Sequence, residues 1–257
     1  MAVGTAFSSP LLDSGQVSKY RYRHRMGMVP SAEFDVFHDD FHSFVVATAI
    51  TNGPVANTPW GWAGAIIDSG ATVAVNTTAA IGATGVLTFA DATASEGAAI
   101  YTTKSFQIRT GKRFFVEVRF RTDDVSDNAI QFGLSDQTAV TNPEDLWTTT
   151  AANLVAFGLL DGSAYPQMLA DDNNGGTSAQ TQTNKLLVAD TWHTLAIGYN
   201  GSQLRGYVDG DEALVWSSAA STIPDERAMG LFFGHINGNG AGGNVVVLDY
   251  VRAVFER

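Results

Sequence analysis

Short apolar runs recur along the chain, many of them alternating with polar residues and each bounded by clusters of Gly, Asn and Asp. Alternation at period two gives an extended segment one apolar face, and such runs between turn residues read as strands. Few windows show the three-and-four spacing of an amphipathic helix. The pattern predicts strands near Phe34–Phe37, Ala63–Ile67, Val86–Phe89, Ala98–Tyr101, Phe114–Arg121, Ala129–Leu134, Leu154–Leu160, Lys185–Leu187, Trp192–Tyr199, Gln203–Val208, Met229–Gly234 and Val245–Phe255. Many short strands and no regular helix point to an all-β sandwich of two antiparallel sheets.

Residues 1–30 depart from this pattern. After a Ser- and Gly-containing start they alternate as Lys19, Tyr20, Arg21, Tyr22, Arg23, His24 and Arg25, with no apolar face to bury. They are read as an extended basic arm, with Lys19, Tyr20, Arg21, Tyr22, Arg23 and Arg25 as its assembly residues; a solvated edge strand or a tail is the alternative. Residues 31–257 then form one sandwich domain. Polar or Gly-rich stretches at Thr51–Thr58, Asp171–Ser178 and Asn237–Gly243 fall between apolar runs, as loops at the sandwich ends would, and no fixed-period repeat or linker divides the chain.

Composition narrows the chemistry. Hydrophobic residues make up 45% of the 257 and charged residues 16%, enough apolar surface for a sizeable core. There is no cysteine, which excludes disulfides, thiolate metal sites and a Cys nucleophile. The net charge is −11, and residues 1–30 hold four cations against Asp13, so the body carries −14 and repels nucleic acid. The opening lacks a basic stretch followed by an apolar run, and no segment is apolar for about 18 residues, so neither a secretion signal nor a membrane span is expected.

One segment is specific. Trp192 and His193 open an alternating strand that ends at Tyr199; Asn200 and Gly201 turn it, and Leu204 to Val208 returns before Asp209 and Gly210 turn the chain again. This run resembles the Trp-His … Tyr-Val-Asp-Gly signature of laminin-G-like and concanavalin A-like jelly rolls, with Trp192, His193, Tyr207, Val208, Asp209 and Gly210 at matching positions. The stretches from Phe37 to Phe41, Arg113 to Phe120, Ile130 to Leu134 and Asp249 to Arg252 extend the resemblance over residues 34–257. It implies a two-sheet antiparallel jelly roll whose first and last strands pair. The middle stretch also resembles structural proteins of tailed phages. That resemblance implies a non-catalytic virion subunit, capsid-decorating or surface-displayed, made in a bacterial cytoplasm, self-associating, and partnered by a capsid protein or other virion subunits. The alternative is a lectin-like module binding a host glycan, and the third reading is a polysaccharide-degrading enzyme.

Candidate chemistry is sparse. Laminarinase-like members of the resembled group place Glu-x-Asp-x-x-Glu or Glu-x-Asp-x-Glu on one strand, where alternate carboxylates do acid, base and nucleophilic work. The chain lacks that motif: Glu117 is followed two residues on by Arg119, a pattern that reads as a solvated or salt-bridged outer face. His38, Asp40 and His42 would share one side of an extended strand and offer metal ligands, or be plain surface residues. Asp171, Asp172 and Asn173 are the candidate calcium ligands, with a simple turn cluster as the alternative; no other cofactor is expected. Trp60, Trp62 and Trp147 are candidate sugar-stacking platforms or core fillers.

Overall fold

A computed structural model describes residues 34–41, 53–54, 61–67, 70–75, 86–93, 95–103, 106–109, 111–136, 153–172, 179–216, 223–238 and 243–256. The basic arm, including Lys19, Tyr20, Arg21, Tyr22, Arg23 and Arg25, lies outside these residues, as do Trp60, Trp147, Asn173 and His42.

The described residues form two antiparallel sheets and no helix. Sheet A runs in space as β15 (Asp211–Trp216), β14 (Leu204–Val208), β13 (His193–Tyr199), β8 (Phe114–Thr122), β17 (Val245–Glu256), β5 (Leu87–Ala90) and β4 (Thr72–Val75). The opening strand β1 (Phe34–Asp39) lies on β17 with Phe34 opposite Glu256, so the first and last strands do pair. Sheet B runs as β12 (Ala179–Gln182), β11 (Gln167–Asp171), β10 (Leu154–Leu159), β9 (Asn128–Ser135), β16 (Ala228–Asn237), β6 (Gly97–Thr102), β3 (Trp62–Ile67) and β2 (Gly53–Pro54), with the short β7 (Phe106–Gln107) on β16. This is the all-β jelly-roll sandwich of the concanavalin A-like type.

Alternation sets what is buried between the sheets. From β8, Phe114, Val116, Val118 and Phe120 point inward, against Leu231 and Phe233 of β16, Phe132 and Leu134 of β9, and Val155 and Phe157 of β10. Phe233 meets Phe89 and Phe120 at ring separations of 5.2 and 6.0 Å. Strands that are apolar on one face and must cover it give this two-layer solution.

The Trp-His and Val-Asp-Gly signature has a physical basis in the β13–β14 hairpin. His193 Nδ1 lies 2.9 Å from Asp209 Oδ2, Thr194 N donates to Asp209 Oδ1 at 2.8 Å, and Asp209 N donates to Thr194 O at 2.7 Å. Asp209 and Gly210 take φ of +54° and +82°, the paired positive values a tight hairpin turn requires. Trp192 packs under Arg119, whose guanidinium carbon is 4.7 Å from the ring centroid. His193 and Asp209 therefore fasten one end of the β13–β14 hairpin, and Asp209 and Gly210 turn β14 into β15.

Two expectations about strands are corrected. Lys185–Leu187 is no strand; Leu187 N donates to Ala164 O and Lys185 pairs with Asp211, which hold the segment as an irregular tether. Asp171 lies inside β11 and not in the loop expected at Asp171–Ser178.

Candidate functional site

One cross-strand row on the outward side of sheet B is built from small and neutral residues. Gln131 on β9 stands between Gly158 of β10 and Gly234 of β16, and the row continues over Ala99 and Ala65. In the other direction Gly158 lies opposite Gln167, which lies opposite Gln182 on β12. Three carboxamides thus share one line across the sheet. Exposure climbs along it, from Gln131, fully buried, through half-buried Gln167 to exposed Gln182.

Gln131 is the anomaly of this row. Its Nε2 and Oε1 are both buried with no hydrogen-bond partner among the described residues. An unpaired buried amide costs about 1–3 kcal/mol, so a site that keeps one calls for an explanation. The neighbouring row, with Leu169, Ala156 and Phe232, joins Leu154, Ala65 and Ala99 in a second apolar cluster separate from the main core. Gly133, with φ of +155°, and Gly158 permit β9 and β10 to approach: a Cβ would sit 2.0 Å from Val155 O at the first and 1.8 Å from Ile130 O at the second.

Sheet A's outward side is charged by contrast. Glu117 does not pair with its strand neighbour Arg119; its Oε1 accepts from Arg252 Nη2 at 2.6 Å and from the Tyr250 hydroxyl at 2.8 Å, with Glu117 and Arg252 fully buried. Arg119 bonds Asp249 at 2.5 Å.

A third constellation lies between the sheets at one end. His235 Nε2 is 2.9 Å from Asp91 Oδ2 and 3.0 Å from Asn128 Oδ1, two acceptors, which places its proton on Nε2. Asp91 Oδ1 is taken by Asn244 N and Asn237 Nδ2, and Asn128 Nδ2 by Thr122 Oγ1. These groups close the strand ends of both sheets on one another and have no exposed member to meet a substrate.

The residues singled out in the sequence are dispersed. Trp62 is fully buried and donates its indole N–H to Asp39 Oδ2 at 2.8 Å, so it is a core residue and presents no stacking face; that reading of it is corrected. Burial raises the Asp39 carboxyl above the usual range, against the opposing hydrogen bonds from Trp62 and Phe41 N. β1 ends at Asp39 and Phe41 takes φ of +59°, so no single strand carries His38, Asp40 and a residue 42 to one side. Asp171 is buried at the end of β11, opposite Leu154, and Asp172 follows it outside the strand. Among the described residues no three His, Asp or Glu side chains are grouped to hold a metal. The amide row escaped the sequence reading because Gln131, Gln167 and Gln182 are 36 and 15 residues apart and only the strand register aligns them.

No family model matches the chain, and no characterised sequence is a significant match. Solved structures do resemble it. The catalytic domain of an endo-1,3-β-glucanase (laminarinase) from Thermotoga petrophila is 14% identical, covering 88% of this chain and 99% of that one, with a TM-score of 0.51. An endo-β-1,4-glucuronan lyase from Trichoderma reesei is 13% identical over 84% and 94% at a TM-score of 0.53, and the Emp47p carbohydrate recognition domain 12% identical over 88% and 98% at 0.51. At these identities the likeness is one of fold. It overturns the expectation of a non-catalytic virion subunit: the frame is that of glucanases, a lyase and a carbohydrate recognition domain, and no virion protein is among these neighbours.

Proposed function

We propose that the protein acts on polysaccharide, engaging the chain at the β11–β12 margin of sheet B, where Gln167 is half-buried and Gln182 exposed. The observation that carries this reading is the pair of amides Gln167 and Gln182, opposite each other on β11 and β12, with Gln182 exposed. A carboxamide donates and accepts at once, which matches a sugar hydroxyl.

Cleavage is the second reading, favoured by the glucanases and the lyase that share the frame over more than four fifths of this chain. Hydrolysis by a carboxylate pair needs two acids in one groove. Among the described residues the strands of sheet B bring forward one, Asp171; the connection from β9 to β10 carries Glu144 and Asp145 in its sequence.

The test is incubation with laminarin, mixed-linkage β-glucan, polyglucuronate and mucin, followed by retention on the immobilised polymer and by assay of reducing or unsaturated ends. Retention on at least one polymer supports the proposal, and released ends add cleavage to it. Absence of both across the panel refutes it.

A further inference from the structure

We infer that the polymer is uncharged, and that it leaves sheet B over the β11–β12 edge, across Gln182 and onto the ring of Tyr165; the inference rests on the polysaccharide reading above. The first ground is charge. No strand of sheet B contains a lysine or arginine, whereas Arg119, Arg121, Arg205 and Arg252 all lie on strands of sheet A. The segment from 122 to 184, which supplies β9, β10, β11 and β12, has no cation and nine acids: Asp123, Asp124, Asp127, Asp136, Glu144, Asp145, Asp161, Asp171 and Asp172. A uronan or a sulfated chain approaching this side meets a field of its own sign with no guanidinium to pair it. Hydroxyl-bearing neutral sugars need only the donors and acceptors that the amides supply.

The second ground is the end of the row. Gln182 Nε2 donates to Ser163 Oγ at 3.0 Å, and Tyr165 N donates to the same hydroxyl at 3.3 Å. Thr183 N donates to Pro166 O at 2.8 Å, fixing the turn that carries Tyr165 against the end of β12. Tyr165 is 42% exposed, among the few large apolar side chains that face solvent. An exposed aromatic side chain on the turn that the exposed amide is bonded to is suited to the apolar face of a pyranose ring.

Affinity electrophoresis of the full chain in laminarin, polyglucuronate and chitosan gels, at low and high salt, tests this. The expected result is retardation by laminarin that salt does not change, weakened at least fivefold by Tyr165→Ala and by Gln182→Ala, both at exposed positions, with melting temperature unaltered. Binding of polyglucuronate, or salt-sensitive binding of chitosan, without laminarin binding would overturn the uncharged class while the polysaccharide reading stands. Laminarin binding indifferent to both substitutions would overturn the exit over Tyr165. No binding to these gels, with no retention on mixed-linkage β-glucan or mucin either, would sink both.

Discussion

Glu117 and Arg252 face each other across β8 and β17, 2.6 Å apart and fully buried on the outward side of sheet A. Removing one partner strands the other's charge, so Arg252→Met is expected to cost about 3–5 kcal/mol, while Glu117→Met with Arg252→Met recovers most of the loss. Urea unfolding of the three proteins measures it; equal losses in the single and double variants would show that packing, not charge, is what the pair contributes.

The His193–Asp209 contact predicts a pH dependence. Burial opposes the charged imidazole, but the hydrogen bond and charge of Asp209 outweigh it and His193 titrates above its ordinary value. Burial likewise opposes the Asp209 carboxylate, and bonds from His193 and Thr194 N outweigh it and hold Asp209 below its ordinary value. The histidine's contribution is complete below its unfolded pKa of about 6.5 and fades as pH rises through the higher folded value. The aspartate's is complete above about 3.9 and fades as pH falls through the lower one. The stability gap between the native protein and His193→Gln is therefore widest at pH 5–6 and narrows by pH 8.5. A gap that does not vary with pH would assign His193 a packing role alone.

Gly133 cannot carry a side chain. With φ of +155° and the Val155 carbonyl where a Cβ would go, Gly133→Ala is expected to destabilise by about 2–4 kcal/mol through separation of β9 from β10. A melting temperature within a degree of the native protein's would contradict the strand approach described.

Gln131→Met replaces the unpaired amide by an apolar side chain of similar size. Stability should rise by about 1–2 kcal/mol as an unmet donor and acceptor leave the interior. A loss of stability would mean that Gln131 is satisfied in the folded protein.

The all-β character and most strands were legible because alternation and turn residues agree, as from Trp192 to Gly210, where Asn200, Gly201, Asp209 and Gly210 punctuate two strands. Strands β2, β4, β7, β11, β12 and β15 were missed; the first five have five residues or fewer, and β2, β4, β12 and β15 end their sheets, where one neighbour leaves little hydrophobic contrast to read. Glu117 was read as solvated or salt-bridged, and its partner Arg252, 135 residues away, was not legible. Trp62 gave no sequence signal separating a platform from a core filler, since the groups that meet it, the rings of Phe37 and Phe41 and the carboxylate of Asp39, come from β1 and the residues just after it, on the other sheet. The amide row depends on registers between four strands, information that no local window holds.

β17 lies between β8 on one side and β5 and β1 on the other. During synthesis β1, β5 and β8 thus emerge long before the strand that joins them, and sheet A stays split, with open backbone edges, until residues 245–256 have left the ribosome. Such a chain folds late and is most prone to sticking to its copies while unfinished. Slower translation or lower temperature during expression should raise the soluble yield more than any change to the finished surface.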